Sequence, residues 1–407
     1  MTRSVIDPIT RIEGHMRVEM EVQNGVVTDA WASGGSFRGM ELVVQHRAPE
    51  DAAQIVQRIC GVCPVSHAHA STIAAEKAYG IKISNNARIV RNLIEGAQFL
   101  HSHILWFYNL AALDYVNPIH GLEANAADAW DLAVAAGTST NSDFGALKER
   151  LTKFAQNGQL SIFSGNWFDA EDGNAYKLPA ELDLICTAHY LEALKMQARS
   201  SEIAALLGGK MPHVMTIVPG GTAFVPTSQK LDDLKYMIDE VYNWVEATMI
   251  PDTLAIAPYY KDALTFGKGC GRYGAWGVFE APSMQMNDRY LPAGVLDTNL
   301  NLSDVDESKI AEFVGTSWYE GSDVYPAPDF TTKPAFTKYD VNDRYTWCKA
   351  PTYDGEPLET TSLSRILVAY QRNVPFVKEN VDKLLVQLGS ALGTEVPLSA
   401  VQSTLGR

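Results

Sequence analysis

Cysteine is scarce in this chain. Five thiols among 407 residues cannot build a disulfide framework, and the odd count suits reduced thiols or metal ligands better than bridges. Basic residues are in deficit as well. The 33 Lys and Arg against 48 Asp and Glu leave a net charge of −15, which argues against a nucleic-acid groove, since that needs a basic patch. Met1-Thr2-Arg3-Ser4-Val5-Ile6-Asp7-Pro8 has no apolar signal core, so no export signal is expected from it. No run of about 18 or more apolar residues predicts a membrane span. A strand–glycine loop–helix unit is missing, so neither a dinucleotide site nor a phosphate loop is expected. Repeats, low-complexity tracts and clean linkers are missing too. Length alone allows roughly two or three domains, yet without a linker residues 1–407 read as one domain. What is present, 46% hydrophobic and 20% charged residues, describes a globular protein with a large core.

Against that background, Arg58-Ile59-Cys60-Gly61-Val62-Cys63-Pro64-Val65-Ser66-His67 holds two of the five cysteines. Gly61 lets the backbone turn tightly, and Pro64 suits the first turn of a helix. On such a helix His67 lies four residues beyond Cys63, on the same face. Three plainer readings compete with a metal-binding one. The cysteines could be core residues. They could be a dithiol redox pair, although the thioredoxin-like setting for that is absent. They could be half of a zinc site, which needs a second ligand pair; Cys186, Cys270 and Cys348 stand alone and supply none.

The rest of the chain predicts a mainly α fold with a smaller β part, an α+β arrangement. Residues 16–33 read as a β-hairpin around Asn24-Gly25. The hairpin brings Thr10-Arg11-Ile12-Glu13-Gly14-His15 and Phe37-Arg38-Gly39-Met40-Glu41 into one neighbourhood, in a β module of about residues 1–45. A helical core follows at about 46–250. It comprises helices at 49–59 and 63–79, an apolar helix at 87–116 reading as central because its apolar residues cover more than one face, and a helix from Pro179 to Leu207. Its last helix is capped by Ser228 and ends before Pro251. The segment 137–174, rich in Ser, Thr, Asn and Gly, reads as including surface loops. Residues 252–357, with Gly267-Lys268-Gly269, Trp318-Tyr319-Glu320-Gly321 and Tyr325-Pro326-Ala327-Pro328, read as short strands and turns over the helices. Closing helices are expected at 361–372 and 376–392.

Glu13 and Glu41 each have an ordinary reading as surface carboxylates. The functional alternatives are a partly buried proton carrier for Glu13 and an oxygen ligand for a hard cation such as Mg²⁺ for Glu41. His101 and His103, on the long helix, read first as core histidines.

Together, Arg11-Ile12-Glu13-Gly14-His15 and Arg58-Ile59-Cys60-Gly61-Val62-Cys63 with His67 resemble the large, catalytic subunit of nickel–iron hydrogenases. Phe37-Arg38-Gly39-Met40-Glu41, the stretch His101 to Asp114, Pro212-His213 with Gly220-Gly221, and Tyr345-Thr346-Trp347 with Tyr353-Asp354-Gly355 extend the resemblance along most of the chain. It implies reversible heterolytic cleavage of H₂. Cys60 would be a terminal nickel thiolate, and Cys63 would bridge nickel to an iron carrying cyanide and carbonyl. His67 would hydrogen-bond the bridging sulfur, and Arg58 would lend charge or fix the loop. Glu13 would take the proton, Glu41 would bind Mg²⁺, and Val62 with the long helix would line the gas path. The chain has no cysteine cluster for an iron–sulfur centre, so a small subunit carrying such clusters is implied as partner, facing Glu13 and Cys60. Two departures stand out. Ser102 occupies a position where the family usually has an aspartate. The family also continues past the position of Arg407, on the order of 100 residues, with two further nickel-binding cysteines, an arginine and a terminal histidine. These are expected on a separate or missing C-terminal segment. A non-catalytic H₂-sensing or assembly-state relative and a zinc-thiolate protein using Cys60, Cys63 and His67 remain as alternatives. Compartment stays open between the cytoplasm and export together with the small subunit.

Overall fold

Asn24 and Gly25 both take positive φ, 52° and 76°, as a tight hairpin turn requires. They join strand Arg17–Gln23 to strand Val26–Ser33. A third strand, Thr2–Ile6, pairs antiparallel with the first and was not expected from the sequence. The computed structural model describes residues 2–138, 142–160, 163, 176–326 and 332–407. Part of the 137–174 stretch and Ala327-Pro328 therefore lie outside the described residues.

The chain divides into two compact units. The first, Met1–Leu42 with Lys268–Lys378, combines the three-stranded sheet with further small antiparallel sheets. Buried Glu19, in the central strand, ties the sheet to the later segment: it accepts from Arg17 Nε at 2.9 Å and from the Tyr339 hydroxyl. Trp347 stacks on Phe37 with ring centroids 4.3 Å apart, and its N–H donates to Gly34 O at 3.0 Å.

The second unit, Val43–Gly267 with Glu379–Arg407, is helical. Helix Pro64–Tyr79 starts on its proline and stops where Gly80 turns left-handed, φ 68°, both as the sequence predicts. Helix Ala180–Gly208 ends in the same way at Gly209, φ 83°. Val65, Ala68, Ile94, Ile104, Ile203 and Leu207 form part of one shared core, and each is essentially free of solvent. Burying such an aliphatic side chain contributes about 1.5–3 kcal/mol. The α+β expectation holds. Among the described residues no helix is long and apolar enough to cross a membrane.

Several expectations change. The long helix, Asn85–Ile104, is not apolar all round. It buries Arg88, Arg91, Glu95 and Gln98 along one stripe, while Ile89 is exposed. The helix expected to end before Pro251 does not. It runs Ser228–Trp244, widens into a π-turn at Val245–Met249 and continues as Ile250–Ile256. Pro251 follows the π-turn inside this continuous run, and the Ala247 carbonyl four residues before it, which gets no N–H from the proline, accepts from Thr138 Oγ1 at 3.4 Å. Thr227, not Ser228, caps the helix, accepting from the Lys230 N–H at 3.3 Å. Within the polar stretch at 137–174, Asp143 caps a helix, Phe144–Gln156.

Candidate metal centre

The cysteine loop is held between two helices. Helix Pro49–Val56 passes through a turn, Gln57–Ile59, into the loop, and helix Pro64–Tyr79 leaves it. Gln57 is fully buried and donates from Nε2 to Val214 O at 3.0 Å, while its own carbonyl accepts from Cys60 N–H at 3.3 Å. Cys60 is buried, 5% exposed, and Cys63 is half-buried. The Cys63 N–H donates to Cys60 Sγ at 3.1 Å, so the first sulfur lies against the backbone of the second cysteine. Gly61 is exposed, and a Cβ there would meet nothing within 4 Å. The turn therefore does not need the glycine for room, contrary to the sequence reading. Arg58 is exposed and donates from Nη1 to Gln54 O at 2.5 Å. Burial and then the charge of Arg58 hold His213 below its ordinary pKa, so the Pro212-His213 segment lies beside this loop.

The polar stripe of helix Asn85–Ile104 backs the loop. Glu95 accepts from Ser66 Oγ at 3.0 Å and faces His69 Nδ1 at 3.5 Å. Gln98 Nε2 donates to Val62 O at 2.7 Å and to Ser102 Oγ at 2.8 Å. Residues 95, 98 and 102 follow the i, i+3, i+7 spacing of one helical face. Glu95 and Gln98 were missed from the sequence, and that spacing of polar residues was the available signal. Gln57 Oε1, Gln98 Oε1 and His101 Nδ1 are buried without a hydrogen-bond partner among the described residues. Desolvation holds both His67 and His101 below the ordinary imidazole pKa, which favours their neutral forms.

One loop and the helix after it thus carry Arg58, Cys60, Cys63 and His67. Glu13 and Glu41 belong to the first unit. Glu13 is exposed on a bend between Arg11, φ 53°, and Gly14, φ 84°. His15 Nδ1 accepts from the Gly35 N–H at 3.1 Å, so its other nitrogen carries the proton toward Asp7 Oδ1, 2.8 Å away. The first of these bonds ties His15, just before the hairpin, to Gly35, just after it. Glu41, 44% exposed, has Lys349 Nζ at 3.8 Å, and that ammonium also faces Glu312 at 3.5 Å. Among the described residues no group of three His, Cys, Asp or Glu is placed to hold a metal alone. A tetrahedral zinc set on Cys60, Cys63 and His67 is thus not assembled. Two soft donors fit nickel or low-valent iron in kind, and they are half of the four thiolates the resemblance implies.

A family model described as nickel-dependent hydrogenase matches residues 38–407, and one described as HoxL-like matches residues 3–32. The chain belongs to the nickel-dependent hydrogenase family. The Hydrogenase-2 large chain of Escherichia coli K12 is 36% identical over 426 aligned residues, covering 100% of this chain and 74% of that one. The uptake hydrogenase large subunit of Rhizobium leguminosarum bv. viciae is also 36% identical, covering 100% and 73%. The nickel–iron–selenium hydrogenase of Desulfovibrio vulgaris Hildenborough, in its as-isolated oxidized state, superposes with a TM-score of 0.78 at 33% identity, covering 100% of this chain and 74% of that one. The Desulfomicrobium baculatum enzyme gives 0.78 at 30% identity, covering 100% and 75%. The protein is a hydrogenase of the large-chain type with a nickel–iron centre, and the α+β fold is that of these relatives.

Proposed function

We propose that this chain is the catalytic subunit in which H₂ is split heterolytically, H₂ → 2H⁺ + 2e⁻. The electrons then pass to a small subunit carrying iron–sulfur clusters. The observation that carries the reading is the cysteine loop: a buried Cys60 whose sulfur receives the Cys63 N–H at 3.1 Å, in a chain matched along its length by the family. In this reading Cys60 would hold nickel, and Cys63 would hold nickel and the iron, which would carry cyanide and carbonyl. Two further cysteines come from a C-terminal segment. When bound, the metals supply the Lewis acidity and electron storage that turn H₂ into an acid.

The chain's own residues do the rest. His67, half-buried and held below the ordinary imidazole pKa by desolvation, would tune sulfur basicity as a hydrogen-bond donor. Glu13 receives the proton and hands it outward; its exposure on the first unit leaves it open to solvent or to a partner chain. Arg58, exposed beside the loop, adds positive charge there. Glu41 offers oxygen to Mg²⁺, for which it has to exchange the Lys349 contact. Val62 and apolar residues of the long helix line the approach for H₂.

The test is Glu13→Gln in the assembled enzyme. Exchange between D₂ and water protons is expected to fall about 10²–10⁴-fold, the usual weight of a positioned acid–base group, with nickel retained. Unchanged exchange overturns the role of Glu13.

A further inference from the structure

The Val62–Cys63 peptide is planar, and both its polar ends are engaged. Its carbonyl accepts from Gln98 Nε2 at 2.7 Å, and its N–H donates to Cys60 Sγ at 3.1 Å. A carbonyl has no proton to give, so it decides which end of the Gln98 amide is nitrogen. The same nitrogen meets Ser102 Oγ at 2.8 Å, and the hydroxyl must therefore accept. Gln98 is 2% exposed, so water does not compete for either bond. One turn earlier, Glu95 takes the Ser66 hydroxyl at 3.0 Å and anchors the helix that leaves the loop.

We propose that Gln98 is a positioning residue that sets the Val62–Cys63 peptide plane and, through it, the direction of the Cys60 sulfur, with Ser102 keeping the Gln98 amide turned the right way. Ser102 thereby acts through Gln98, not on the metals. The consequence for nickel rests on the function proposed above; the consequence for the sulfur does not.

The experiment uses the full chain free of metal, with iodoacetamide alkylation of each cysteine followed by peptide mass. Cys186, 3% exposed in the same unit, is the internal reporter of an intact fold. Gln98→Leu and Gln98→Glu each remove the donor facing Val62. Both are expected to raise the Cys60 rate about tenfold or more, with Cys186 unchanged. Ser102→Ala is expected to raise it about two- to threefold and to add nothing in the Gln98→Leu background. In the holoenzyme the Gln98 variants are expected to retain nickel about 10–100-fold less well. Three results overturn the proposal. One is an unchanged Cys60 rate in Gln98→Leu. Another is a rise shared with Cys186 in both Gln98→Leu and Ser102→Ala. The third is a Ser102→Ala effect that persists undiminished without Gln98. Wild-type protein that shows the expected alkylation pattern but never takes up nickel refutes the metal reading and leaves the positioning role standing.

Discussion

Arg91 is the least exposed charged side chain on the polar stripe, at 0%, and its removal should be felt throughout the second unit. Its guanidinium grips Glu76 with both ends: Nη1 to Oε2 at 3.0 Å and Nη2 to Oε1 at 2.6 Å. The remaining donors reach Val218 O at 2.6 Å and Gly221 O at 3.0 Å, while the Gly220 N–H turns back to Glu76 at 2.8 Å. The pair thus fastens the turn between the two short strands Ile217–Val218 and Gly221–Thr222 to two core helices. Arg91→Met keeps the volume and leaves a carboxylate, 6% exposed, with one backbone donor in place of a counter-charge. Breaking a buried pair from one side costs about 3–5 kcal/mol. Unfolding entropy for about 250 residues is roughly 0.5 kcal/mol per degree, which converts that cost into a melting-point drop of about 6–10 °C. Adding Glu76→Leu should recover part of the loss, because the stranded charge goes with it. Thermal unfolding followed by near-ultraviolet circular dichroism at one scan rate measures both. An Arg91→Met protein melting within about 2 °C of wild type, or a double variant worse than the sum of the singles, refutes the reasoning.

Other outcomes follow from the same unit. Burial pushes the Asp183 carboxyl up to about 6, against the Asn117 N–H and His120 that pull it down. Below the ordinary carboxylate value, about 4, folded and unfolded chains both hold the proton. Between there and about 6 only the folded chain holds it, so this group's contribution to stability falls as pH rises through that window and is level above it. Asp183→Asn, whose amide oxygen can still accept from Asn117, should flatten the melting temperature between about pH 4 and 6; an unaltered slope there counts against it. Tyr108 donates to Asp252 Oδ2 at 2.8 Å, beside His189 Nδ1 on the same carboxylate. Tyr108→Phe should cost about 1.5–3 kcal/mol, or roughly 3–6 °C, and no change in melting would show that the bond is idle.

The parts of the fold written in backbone chemistry could be read directly. Asn24-Gly25 announces its hairpin, and Pro64 and Gly80 bracket one helix because a fixed φ and a left-handed φ leave few other uses for those residues. Strand Thr2–Ile6 escaped because five residues without a turn signal carry little pattern of their own. Pro251 misled because the helix widens into a π-turn just before it and runs on through the proline. The long helix misled in a different way. Arg91, Glu95 and Gln98 stand among its apolar residues, and nothing local says that a polar side chain will find its partner 15 to 130 residues away. At the site, the Cys60–Cys63 spacing was legible, and so was the family it resembles. The amide that holds the loop was not, because its role depends on a contact between residues 36 apart.

The claim that Cys60 and Cys63 hold nickel meets its most direct test in elemental analysis of the protein purified from its native host, beside Cys60→Ala and Cys63→Ala prepared in the same way. The account predicts stoichiometric nickel in the wild type and a fall of more than about tenfold in each variant. Nickel kept at the wild-type level by either variant contradicts it.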